Sequence, residues 1–211
     1  MTTPPEKTRM IHVDFPDVGN FLVMPESFPY EIWDDRDEWA EDMAMAVHAV
    51  SKDVSGAKGA VVSPRPDAEW IAHTKLVIAS AQQHLTSDCH YPMLLFPDRD
   101  KMPIPFSLTN WLVEVPWEAM LPLYTGEHDP ENVDPPVTEA FEVEGAEIGI
   151  RSIRHTILDS EDQSLLVRLV YAWRRAGLDT QIIASFTDPT MMPETVPILD
   201  AFARGTVSRL E

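Results

Sequence analysis

Residues 84–90 read "HLTSDCH": two imidazoles, one carboxylate and the only cysteine of the chain fall within seven positions. Side chains of these types can hold a divalent cation, or can attack an electrophile as a thiolate beside an imidazole. For a metal, His84, Asp88 and His90 are the candidate ligands. The spacing supports neither chemistry. Structural zinc sites draw on four Cys or His ligands in paired spacings, and one Cys cannot supply them. A three-ligand set would need the chain to curl back on itself, because His84 falls on a helix and His90 beyond its break. Cys89 as a nucleophile needs a base in fixed geometry, which closeness in sequence does not specify. The bland alternative makes His84 a last-turn residue favoured by the helix dipole, Asp88 a turn residue and Cys89 a small apolar group at a strand start.

A second cluster, "GEHDPENVD" at 126–134, gathers Glu127, His128, Asp129, Glu131 and Asp134. It lacks the alternating acids, central glycine and terminal glutamate of a calcium loop, and reads as a solvated acidic loop. No glycine-rich phosphate loop, Gly-x-Ser-x-Gly elbow or His-Glu-x-x-His motif occurs. The expectation is therefore no enzyme and no cofactor.

Charge is distributed unevenly. Between Lys101 and Arg151 there is no lysine or arginine, while glutamates and aspartates accumulate. From Arg151 onward seven arginines appear and no lysine. Arginine is suited to bidentate pairing and to interfaces. The default is pairing inside the chain with the acidic segment at 138–147. The functional reading is a surface of Arg151, Arg154, Arg168 and Arg174 that meets a protein partner or a second copy.

The elements that must position these residues follow from composition and pattern. With 35 acidic residues against 16 basic, the net charge of −19 repels nucleic acid and anionic membranes. Hydrophobic residues at 44% are enough for a packed core. No apolar run approaches the ~18–20 residues of a membrane span. The opening "MTTPPEKTRM" has no apolar h-region, and a single Cys excludes an internal disulfide framework. A cytoplasmic protein is expected.

Residues 1–9 read as a tail and 10–211 as one domain. "MIHVDF" and "NFLVM" are short strand candidates. Helical periodicity runs over 34–54, ended by "SGAKG", and over 67–85. "YPMLLF" and "FSLTNWLVEV" read as strands, and 122–136 as a loop. "TEAFEVE", "EIGIRSIRHTIL", "QSLLVRLVYAWRRAG" and "TQIIASF" form an antiparallel meander, with Leu165, Val167, Leu169, Tyr171 and Trp173 on one face. A closing helix covers 194–210, with Thr195 as its cap. The fold class is α+β: an antiparallel sheet of about six strands, two helices inserted near the N-terminus and a C-terminal helix packed on the sheet.

The segment from "IGIRSIRHTIL" through "SFTD" and "PILDAFARGTV" resembles the end of the PsbP-like fold. That resemblance implies a binding or scaffold role without a shared catalytic set. The same element order is similar to the helix-grip fold of START-like proteins, which implies an apolar cavity between the sheet and the C-terminal helix. The expected function is a non-enzymatic protein-binding or accessory domain. The alternative is a carrier of an apolar small molecule, and a metal-dependent or cysteine enzyme using 84–90 ranks third.

Overall fold

The computed structural model describes residues 10–17, 21–58, 67–84, 91–96, 103–157 and 165–210; the side chains of 50–58, 83 and 84 are outside that description. The elements in chain order are β1 (Ile11–Asp14), β2 (Phe21–Val23), α1 (Arg36–Lys58), α2 (Asp67–His84), β3 (Tyr91–Leu95), β4 (Ile104–Leu112), α3 (Trp117–Thr125), β5 (Val137–Ala140), β6 (Ile148–Ile157), β7 (Leu165–Arg175), β8 (Leu178–Phe186), α4 (Met192–Gly205) and β9 (Val207–Leu210).

Seven strands form one antiparallel sheet in the order β2-β3-β4-β8-β7-β6-β5, and β1 pairs β9 in a separate two-stranded ladder. The expected α+β class holds, with one strand more than expected in the main sheet. The alternation in "LLVRLVYAWRR" divides the sheet into two faces. Val167, Leu169, Tyr171 and Trp173 enter the main core with Phe106, Ile182, Leu199 and Phe202, so α4 lies on this first face. Phe15, which follows β1, stacks on Phe202 there, and Phe21 meets the same ring edge-on. These side chains pack between the sheet and α4.

The second face carries three helices. Leu94 and Phe96 pack with Trp39, Ala40, Ala44 and Ile78 of α1 and α2 at one end. Ile150 and Ala172 pack with Trp117 and Tyr124 of α3 at the other. The register aligns residues across this face in rows: Arg154 opposes Arg168, which opposes Ser185, and Leu94 opposes Pro105. Six positions away along β8 and β7, Trp111 opposes Asp179, which opposes Arg174.

Three boundaries differ from the sequence reading, each for a local reason. Helix α1 runs through Ser55 and Gly56 to Lys58, because a lone glycine weakens a helix without obliging it to stop. The stretch after the strand reading, given no element up to 121 and read as a loop from 122, contains α3. This helix begins after Pro116, carries Pro122 inside it and ends at Gly126, whose φ of 67° makes the left-handed cap. Prolines at both places hide its periodicity. The closing helix ends at Gly205, and Val207–Leu210 is a strand on β1 rather than further helix. Thr195 lies buried inside α4, which starts at Met192 after a short 3-10 turn at Pro189–Met191, so it does not cap the helix.

Candidate functional site

Three arginine clusters and one groove hold the chemistry-bearing side chains. Arg151 donates from Nη1 to both oxygens of Asp200 on α4, at 2.8 and 2.9 Å, and also pairs with Glu139 of β5. Tyr171, directly opposite Arg151 on β7, donates its hydroxyl to Asp200 at 2.7 Å. Burial and the carboxylate both push the Tyr171 phenol far above its usual range.

On the second face, Arg174 donates to Asp179 from Nε at 2.5 Å and from its other terminal nitrogen at 2.8 Å. It also donates to the Val115 carbonyl at 2.8 Å and lies 5.7 Å over the Trp117 ring. Asp179 is fully buried and accepts a further hydrogen bond from Tyr124 at 2.5 Å. Burial, then that hydrogen bond, raises the Tyr124 phenol as well. The carboxylate of Asp179 is thereby saturated by groups of the chain itself, which is how a buried charge is normally retained.

The third cluster is unbalanced. Arg154 reaches Oδ2 of Asp129 at 3.3 Å, and Arg168 reaches the same oxygen at 3.9 Å. The other oxygen of Asp129 accepts the backbone N–H of Glu131. Two guanidinium groups therefore share one carboxylate. Arg154 is buried, with its Nε unpartnered, and burial and then the neighbouring Arg168 pull its pKa below the usual arginine value, partly offset by Asp129. Gly126 is placed so that a Cβ there would stand 1.5 Å from Arg154 Nη1. The acidic loop at 126–134 is thus a lid over arginines. Asn132 closes the loop on itself by donating to the Gly126 carbonyl at 2.7 Å, while the Val133 N–H donates to the His155 carbonyl at 2.9 Å and Asp134 meets the His155 ring at 3.3 Å.

All four arginines marked by sequence are thus paired within the chain. Only Arg151 finds its partner in the acidic segment at 138–147; the others use Asp129 and Asp179, which sequence did not single out as partners. Arg154, Arg168 and Arg174 share the second face, and Arg151 points to α4 on the first. The candidate ligands His84, Asp88 and His90 lie outside the described residues, apart from the backbone of His84 at the end of α2. Among the described residues, no group of three or more His, Cys, Asp or Glu side chains could hold a metal ion. Among them, too, no helix is long and apolar enough to cross a membrane.

The groove was not legible in sequence. It has a volume of about 710 Å³ and lies on the second face, between α2 and the strands β4 and β8. One wall is the stripe His73, Leu76, Val77, Ser80 and Ala81 of α2, at helical spacing, and the floor includes Pro105, Ser107, Ile183 and Ser185. Leu76 is 70% exposed although it lines the groove. A second hollow of about 550 Å³ shares Pro103, Pro105 and Ser185 with it and continues past Leu166. The arrangement offers an apolar trough with a few hydroxyls, and among the described residues that line it there is no pair of acid and base.

No protein-family model matches this chain, and no curated protein matches it in sequence.

Proposed function

We propose that this chain is a non-enzymatic binding domain whose recognition surface is the groove between α2 and β4–β8, and that its ligand is an apolar small molecule. The observation that carries the reading is an open trough of about 710 Å³ with mostly apolar walls on a face where the ionisable groups are tied to one another. Its size falls in the ~300–1,000 Å³ range of small-molecule sites. Arg151, Arg154 and Arg174, enclosed and closely paired, make poor docking groups, because recruiting them to a partner would leave an enclosed carboxylate unpaired. This moves the binding role from these three arginines to the groove. A cytoplasmic setting belongs to the same reading and is supported by the single cysteine.

The test is titration with the neutral fluorophore N-phenyl-1-naphthylamine. Saturable binding near one per chain is expected, and Ser107→Trp, which fills the floor, removes it while leaving the melting temperature close to that of the parent. Absence of saturable binding, or undiminished binding to the Trp variant, overturns the proposal.

A further inference from the structure

Resting on the groove as a binding site, we infer that its ligand is a single-chain amphiphile with an anionic head, whose head group is received by Arg168. The charge count comes first. In a chain of net charge −19, Arg154 and Arg168 face one shared carboxylate oxygen, so one positive charge is left over at this point of the sheet. Among the described residues, Asp129 is the only carboxylate within 4 Å of Arg168, and at 3.9 Å it is an ion pair without a close hydrogen bond. Arg154 is enclosed beneath Gly126 and cannot turn outward. Arg168 keeps 31% of its side chain exposed and can turn.

Position comes second. Arg168 stands directly opposite Ser185, on the same face of the sheet. Ser185 lines both the groove and the adjoining hollow, and Leu166, two residues before Arg168 on the same face, lines the hollow. One strand spacing, ~4.8 Å, therefore separates the backbone carrying the surplus charge from the floor of the trough. An alkyl chain lying along Val77, Ile183 and Pro105 would bring its head to the Ser185 end, where a hydroxyl and a guanidinium meet. An anion there restores a two-to-two balance of charge and lessens the mutual repulsion of the two arginines. A neutral alcohol of the same length gains the apolar contacts but not this term.

The experiment is competition against bound N-phenyl-1-naphthylamine by decanoate and by decanol, both below the concentrations at which they aggregate. In the parent protein decanoate should compete at about tenfold lower concentration than decanol, as a charge-assisted hydrogen bond implies. In Arg168→Gln that preference should vanish with decanol competition unchanged, and Arg168→Lys should keep most of it. Equal competition by the two compounds in the parent overturns the head-group assignment and leaves the groove standing. So does a preference that survives Arg168→Gln. Competition by neither compound against a probe that does bind rejects an amphiphile altogether, whereas failure of the probe itself to bind strikes at the groove reading.

Discussion

Tyr124 and Tyr171 stand on opposite sides of the sheet and do the same thing: each donates its hydroxyl to an aspartate that also receives an arginine. Tyr171 joins Asp200 and Arg151 on the α4 side, at 2.7 Å, and Tyr124 joins Asp179 and Arg174 on the α3 side, at 2.5 Å. The two triads clamp the helices on either face to β7, whose residues Tyr171 and Arg174 belong one to each. A neutral phenol lets each carboxylate satisfy two donors without adding a second negative charge.

Alkaline pH should therefore unfold the protein in a defined window. Both phenols are raised above the ordinary value of 10.0 by burial and by their aspartates. Above that value the unfolded chain loses these protons while the folded chain keeps them, so stability falls as pH rises beyond it; below it the contribution is complete. Absorbance at 295 nm should show two of the four tyrosines ionising only together with loss of near-ultraviolet circular dichroism. Smooth titration of all four in the folded state would refute this.

The two aspartates should differ in cost. Asp179 is fully buried, and its loss strands Arg174, so Asp179→Asn should lower stability by ~3 kcal/mol in urea unfolding with an unchanged m value. Asp200 is 17% exposed, and Arg151 retains Glu139, so Asp200→Asn should cost only ~1–2 kcal/mol. A reversed order would show that burial is not what sets these energies.

Gly126→Ala should be costly for two separable reasons. A left-handed φ of 67° costs an alanine ~1–2 kcal/mol, and its Cβ would meet Arg154 Nη1 at 1.5 Å. Combining it with Arg154→Ala removes the second reason. The double variant should be more stable than the sum of the single effects predicts, a coupling of ~1 kcal/mol or more in a double-mutant cycle. Simple additivity would mean that the arginine moves aside freely.

Gly205→Ala places a Cβ 2.5 Å from Pro16 Cβ, at the crossing between the end of α4 and the segment after β1. Amide exchange should speed up in Ile11–Asp14 and Val207–Leu210, while β7 and β8 keep their protection. Uniform loss of protection across the sheet would contradict this.

What sequence could and could not convey is visible in these same residues. The meander was legible because β7 carries large apolar side chains at every second position from Leu165 to Trp173 and its turn into β8 is short, so the face that meets the main core follows from period. Helices α1 and α2 were legible from long apolar stripes. Helix α3 was not, since Pro116 and Pro122 frame nine residues without a full repeat. The sequence reading groups the four arginines on one surface, whereas Arg151 lies on the α4 side and the other three on the second face, and their partners Asp129, Asp179 and Asp200 come from a loop, a hairpin and a distant helix. Nothing in local spacing announces such partners. The groove has no sequence signature at all, because it is a gap between α2 and the strands β4 and β8, which are distant in sequence.

The ladder of β1 on β9 sets how the molecule answers to pulling. Ile11 lies opposite Leu210, and Asp14 opposite Val207, so the outer ends of the first and last strands sit side by side in an antiparallel pair. A load applied through residues 10 and 210 acts across this ladder at its open end. The rungs then fail one after another, as in a zipper, and never share the strain. Four residue pairs peeled in sequence should yield at low force, detaching the small ladder before the seven-stranded sheet carries any tension.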